Sequence, residues 1–182
     1  MASGIDVREI ERHIRTVPDF PKPGISFKDI TPLIEDGPAL RAAVDSLASA
    51  TEDIDYDRIV SAEARGFVFG TALAYRAGKG LILARKPNKL PRETIAASYE
   101  LEYGFETLEA HLDSIQPGTR VLVMDDLLAT GGTAQAMCEL VESAGGVVAG
   151  AAFLIELSYL NGRERLAPHD VVSLITYDDP ED

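Results

Sequence analysis

Apolar residues along this chain fall into two rhythms. Short β-rich apolar runs at Arg58 to Ala62, Leu81 to Ala84, Val121 to Asp125, Val147 to Leu157 and Val171 to Ile175 predict core strands. Helical spacing appears at Val7, Ile10 and Ile14, then at Leu40, Val44, Leu47 and Ala48, entered at Pro38. It returns from Gly70 to Ala77 and from Thr133 to Ala144, each ending near glycine. Strands that alternate with helices are the signature of βαβ units. The expected fold is therefore α/β, a central and mostly parallel sheet flanked by helices.

Two stretches break the alternation. DFPKPGISFKDITP holds too many prolines and glycines for a regular element and is expected as a structured loop. Arg85 to Pro117 opens with RKPNKLPRET, basic and proline-containing, which predicts a mobile loop. Its continuation, IAASYELEYG, alternates weakly and is compatible with a hairpin strand. With no internal repeat or low-complexity run, the 182 residues are expected to form one domain, 1–182, and DDPED a solvated end.

Composition narrows the class. Hydrophobic residues make up 46% and charged residues 26%, enough apolar material for a real core. No apolar run approaches the roughly 20 residues that span a bilayer, and MASGIDVREIERHIR is charged and unlike a secretory signal, so no membrane association and a cytoplasmic location are expected. The single Cys138 falls among Ala134, Met137 and Val141 at helical spacing, as a small core residue would. The formal net charge of −13 disfavours nucleic acid as a partner. It also repels small anions, so any phosphate site must gather its own positive potential. His13, His111 and His169 have no metal-ligand spacing, and no metal site built from protein side chains is expected.

The chemistry concentrates in VLVMDDLLATGGT, Val121 to Thr133, where a strand stops at two carboxylates and passes through a glycine-containing loop into a helix. Such a junction aims backbone N–H groups and the positive end of a helix dipole at one point, which suits phosphate. Gly131 and Gly132 permit close backbone approach, and Thr130 and Thr133 add hydroxyls. Neither GxxxxGK[ST] nor GxGxxG is present in this segment. Asp125 and Asp126 would repel a bare phosphate, so they need another task; the hydroxyls of an attached ribose supply one.

Strand, DD and ATGGT together resemble the phosphoribosyl pyrophosphate (PRPP) motif of the type I phosphoribosyltransferases. DFPKPGISFKDITP, EARGFVFG, RKPNKLP and ASYELEYG resemble, in order, segments of the adenine-specific branch of that family. The resemblance covers most of the chain. It implies a parallel sheet with a small N-terminal hood at approximately 1–35, a mobile loop at approximately 85–106, a homodimer, and magnesium bound with PRPP. The substrates it implies are adenine and PRPP, the products AMP and pyrophosphate.

The resemblance also distributes roles. Ala129, Thr130, Gly131, Gly132 and Thr133 would hold the 5′-phosphate, and Asp125 and Asp126 the ribose hydroxyls. Arg65, Arg85, Lys86 and Lys89 would neutralise pyrophosphate, with Tyr103 also at the PRPP site. The backbone of Ser26 would read adenine between Phe27 and Leu127, and Glu102 would act as general acid/base. A non-proline cis peptide between Glu63 and Ala64 is a family feature, although many relatives carry Asp-Ser there. An oxocarbenium-like transition state, reached without a covalent nucleophile and behind a closing loop, is the implied mechanism.

Read from the residues alone, Phe27 could be core, RKPNK a basic surface loop and Glu102 a solvated charge. Two other functions compete. One is a PRPP- or purine-sensing regulator, which would be expected to carry an added DNA-binding domain. The other is a 6-oxopurine phosphoribosyltransferase, expected to lack the PGISF-type loop.

Overall fold

Five parallel strands form the centre of the computed structural model, which describes residues 7–101 and 104–180. In chain order the elements are α1 (Val7–Glu11), β1 (Arg15–Val17), β2 (Phe27–Asp29), α2 (Thr31–Glu35), α3 (Gly37–Ala50), β3 (Arg58–Ala62) and α4 (Gly66–Ala77). They continue as β4 (Gly80–Ala84), β5 (Thr94–Leu101), β6 (Gly104–His111), β7 (Arg120–Leu128), α5 (Gly132–Ser143), β8 (Val147–Leu157) and β9 (Val171–Tyr177). The main sheet runs β4-β3-β7-β8-β9, parallel throughout.

Alternation along each strand feeds two cores. Val121 and Val123 face α5 and the β5–β6 hairpin, where they meet Met137, Leu140, Tyr99 and Leu108. Leu122 and Met124 point the other way, towards Leu47 of α3 and Phe69 and Leu73 of α4. Helix α3 starts where the Asp36 carboxylate accepts from the Ala39 amide at 2.8 Å, and buries Ala39, Ala43, Val44 and Leu47 on one stripe. The N-terminal segment joins the second core through Ile10, Ile30 and Leu33.

The strand order makes the chain leave β3 towards β4 on one side and return to β7 on the other. Loops at the carboxyl ends of β3 and β7 therefore diverge and open a crevice, the place where open parallel sheets bind ligands.

Several elements differ from expectation. Strand β7 does not stop at the two acids but runs to Leu128, because the longer β8 keeps pairing with it, Asp125 beside Phe153 and Leu128 beside Glu156. Helix α4 begins at Gly66 rather than Gly70, and α1 ends at Glu11, short of Ile14. The stretch from Asp19 to Pro32 is not wholly loop. Its residues Phe27–Asp29 pair antiparallel with Arg15–Val17, a ribbon too short for alternation to announce, and α2 follows with a proline in its first turn. After RKPNKLPRET, β5 and β6 form the hairpin, and backbone pairing of Arg85 with Glu109 ties it to the end of β4. Cys138 is 5% exposed, and burial, aided by Glu142 and Glu139, pushes its thiol up to about 12, in keeping with a core role. Among the described residues no helix is long and apolar enough to cross a membrane.

Candidate active site

The crevice is built from two turns. After β3, Glu63 and Ala64 are joined by a cis peptide and Arg65 leads into α4. After β7, the chain turns at Gly131, whose φ of +85° favours glycine, and enters α5 at Gly132. No side chain caps α5, so its first-turn amides are available to a ligand.

Asp125 and Asp126 lie beneath this turn, 8% and 6% exposed. The Asp126 amide donates to Asp125 Oδ1 at 2.9 Å, and Arg65 Nε lies 2.8 Å from Asp126 Oδ2. Burial raises Asp125 well above the usual carboxylate range, and the neighbouring Asp126 charge raises it further. Burial also raises Asp126, with Arg65 opposing. Both acids therefore hold protons more tightly than free carboxyls do. The packing that buries them leaves no room at Gly66, where a Cβ would lie 2.5 Å from Asp125 Oδ1.

Across the crevice, Arg85 and Lys86 are each matched to an acid, as Arg65 is to Asp126. Arg85 donates to Glu63 Oε2 from Nε at 3.1 Å and from Nη2 at 2.9 Å, and the Lys86 amide donates to Glu63 Oε1 at 2.5 Å. Backbone and side-chain hydrogen bonds hold Glu63 below its usual range despite burial, so it stays ionised. Lys86 Nζ donates to Glu106 Oε1 at 3.2 Å, and the Tyr99 hydroxyl donates to Glu106 Oε2 at 2.8 Å while accepting from Thr133 Oγ1 at 3.3 Å. Tyr99, chiefly through burial, is raised, and Glu106, chiefly through the Tyr99 bond, is lowered; the pair persists as phenol and carboxylate.

These groups enclose about 350 Å³, lined by residues 125–134 with Arg65, Lys86, Tyr99 and Glu106. A larger cleft of about 780 Å³, lined by Asp45, Thr51, Tyr56, Arg76 and Lys79, lies at the amino ends of the strands. It holds none of the expected residues. We place the site in the smaller cavity, where the acids and the helix amides converge.

Of the expected residues, Arg65, Asp125, Asp126, Leu127, Lys86 and the loop from Ala129 to Thr133 come together there. Phe27 approaches the same group, its ring centre 5.0 Å from the Arg65 guanidinium carbon. Ser26 precedes it in the chain, half-buried but outside the cavity lining. Arg85 turns to Glu63 and gives Nη1 to the Lys89 carbonyl at 3.1 Å; Lys89 is exposed and lines no part of the cavity. Glu102 and Tyr103 lie outside the described residues.

Sequence reasoning missed Tyr99, Glu106, Gly66 and the cation-holding task of Glu63. Tyr99 alternates with Ala97 on the buried face of β5, a readable signal. Nothing local marked Glu106, which reaches Lys86 only through the hairpin register that sets it opposite Tyr99.

Comparison with known proteins agrees with this geometry. A family model described as phosphoribosyl transferase domain matches residues 33–179. The chain is 70% identical over 175 residues to an adenine phosphoribosyltransferase of Rubrobacter xylanophilus, covering 96% of this chain and 95% of the relative. A crystal structure of adenine phosphoribosyltransferase from Thermoanaerobacter pseudethanolicus superposes with TM-score 0.93 at 51% identity, over 94% of this chain and 100% of that one. The Saccharomyces cerevisiae adenine phosphoribosyltransferase, complexed with adenine and an imino-altritol bisphosphate, gives TM-score 0.86 at 35% identity, covering 92% of this chain and 97% of that one. Sheet order, paired acids, glycine turn and sequence identity converge, and the chain belongs to the phosphoribosyltransferase family and, within it, to the adenine phosphoribosyltransferases.

Proposed function

We propose that the protein transfers the 5-phosphoribosyl group of PRPP to nitrogen 9 of adenine, forming AMP and releasing pyrophosphate. The observation that carries this reading is the carboxyl end of β7, whose two buried acids precede a glycine turn and an uncapped helix N-terminus. The amides of residues 129–133 take the 5′-phosphate. Asp125 and Asp126 accept the ribose hydroxyls, an arrangement that restores polar partners to two buried carboxyls.

As the bond from the anomeric carbon to pyrophosphate breaks, positive charge grows on the sugar ring and negative charge on the leaving group. The two carboxylates lie on the ribose side. Arg65, Lys86 and Arg85 face the pyrophosphate, released from Asp126, Glu106 and Glu63 by exchange of anionic partner. Nitrogen 9 then forms the new bond and sheds its proton, which Glu102 takes. Phe27 and Leu127 sandwich the ring, and the Ser26 backbone matches the amino group and ring nitrogen of adenine. A 6-oxo purine would set acceptor against acceptor.

A magnesium ion would be held by substrate oxygens and by water on Asp125 and Asp126, the two buried carboxyls beside the ribose. Magnesium bound in this way would offset charge on the pyrophosphate. A homodimer in the cytoplasm completes the proposal. The single cysteine, Cys138, is buried and free, which fits a reducing compartment.

The test is to give purified protein PRPP, magnesium and each purine base in turn, following nucleotide and pyrophosphate. Adenine alone should be converted. Equal use of hypoxanthine would overturn the base assignment, and PRPP binding without product would favour a sensor.

A further inference from the structure

The phosphate turn rests on a segment more than thirty residues away in sequence. Residues Gly162–Leu166 form a short 3-10 turn after β8, and there the two backbones touch. A Cβ on Gly162 would run into the Ala129 carbonyl oxygen and lie 2.9 Å from the Gly131 nitrogen; a Cβ on Gly131 would lie 2.5 Å from the Gly162 oxygen. The contact is main chain against main chain, so no side-chain rotation relieves it.

The segment is itself fixed from both ends. Arg163 donates from Nε to Glu156 Oε1 at 2.9 Å and from Nη1 to the Val171 carbonyl at 2.7 Å, and Ser173 Oγ donates to Glu156 Oε2 at 2.6 Å. Glu156 is 5% exposed and pairs in register with Leu128, the last strand residue before the turn. Leu166 closes the other end, 1% exposed in the core.

We propose that Gly162, held by the Glu156–Arg163 pair, is a positioning residue that sets the height of the phosphate turn and so tunes recognition of the phosphate end of the sugar substrate. It touches no substrate; it acts through Ala129 and Gly131. The inference rests on the transferase reading above for its substrate, but the contact between the two segments does not. In a site whose donors are fixed amides, a displacement near 1 Å is enough to lose on the order of a hundredfold in productive binding.

The experiment compares Gly162→Ala with wild type for KM of PRPP and of adenine, and for calorimetric affinity toward ribose 5-phosphate. KM for PRPP should rise at least roughly tenfold and ribose 5-phosphate should weaken in parallel, with KM for adenine within about twofold of wild type. A second variant, Glu156→Gln with Arg163→Met, removes both charges without adding a clash. It keeps the test decisive should the alanine variant fail to fold, and should show the same split to a lesser degree. Unchanged PRPP constants in either folded variant, or equal rises for both substrates, would overturn the proposal. If wild type itself turned over no PRPP, the transferase reading would fail, and ribose 5-phosphate affinity would still decide the positioning role.

Discussion

Replacing Asp125 by asparagine should make the protein more stable and less active. Asp125 is 8% exposed and accepts a hydrogen bond from the Asp126 amide, and the adjacent Arg65 is engaged with Asp126. Ionising it means charging a desolvated group beside a like charge, hence its raised pKa. Asparagine keeps the shape and the Oδ1 acceptor and removes the charge. At pH 8 the gain should be about 1–3 kcal/mol, which in a chain of 182 residues moves Tm by roughly 2–4 °C per kcal/mol. The pH dependence fixes the sign. The folded protein retains on Asp125 a proton that the unfolded chain releases near 3.8, so the contribution of this residue to stability is greatest below that value and falls as pH rises through its raised native pKa. The advantage of Asp125→Asn must therefore shrink from pH 8 towards pH 4. Meanwhile the loss of a charged acceptor for ribose, about 1.5–3 kcal/mol, should lower kcat/KM for PRPP by roughly 10–100-fold. Thermal unfolding followed by circular dichroism at several pH values measures the first effect. A Tm at pH 8 no higher than wild type, or a gain that grows in acid, would refute the burial argument.

Two further outcomes follow from the same crevice. Gly66→Ala places a Cβ 2.5 Å from Asp125 Oδ1, so it should cost about 1–3 kcal/mol by overpacking and reduce PRPP turnover; denaturant melts and steady-state kinetics check both, and a neutral result would show that Asp125 can yield. Glu106→Gln removes an anion, ionised at neutral pH, that occupies Lys86 at 3.2 Å; it should lower KM for PRPP by roughly twofold to fivefold, within the modest range of a half-exposed ion pair, and a rise in KM would sink the exchange of partners assigned to Lys86.

The centre of the main sheet was readable from the chain because β3, β7 and β8 are largely buried and carry continuous apolar runs; β3 and β8 have the bounds that their hydrophobicity predicts. The turn from β7 into α5 was readable because its acids, glycines and threonines are contiguous between Asp125 and Thr133. Short pieces were not. The β1–β2 ribbon consists of three residue pairs, too few for a period of two to emerge from a proline-rich stretch.

What the sequence by itself determined was the alternation of strands and helices and the placing of two acids and a glycine turn between strand and helix, since both depend on neighbours in the chain. Only tertiary structure decided that Glu63 would hold Arg85, that Tyr99 and Glu106 would reach Thr133 and Lys86, and that Gly162 would press against Ala129. Those contacts depend on hairpin register and on the crossing of segments far apart in the chain, and a local pattern carries no record of either.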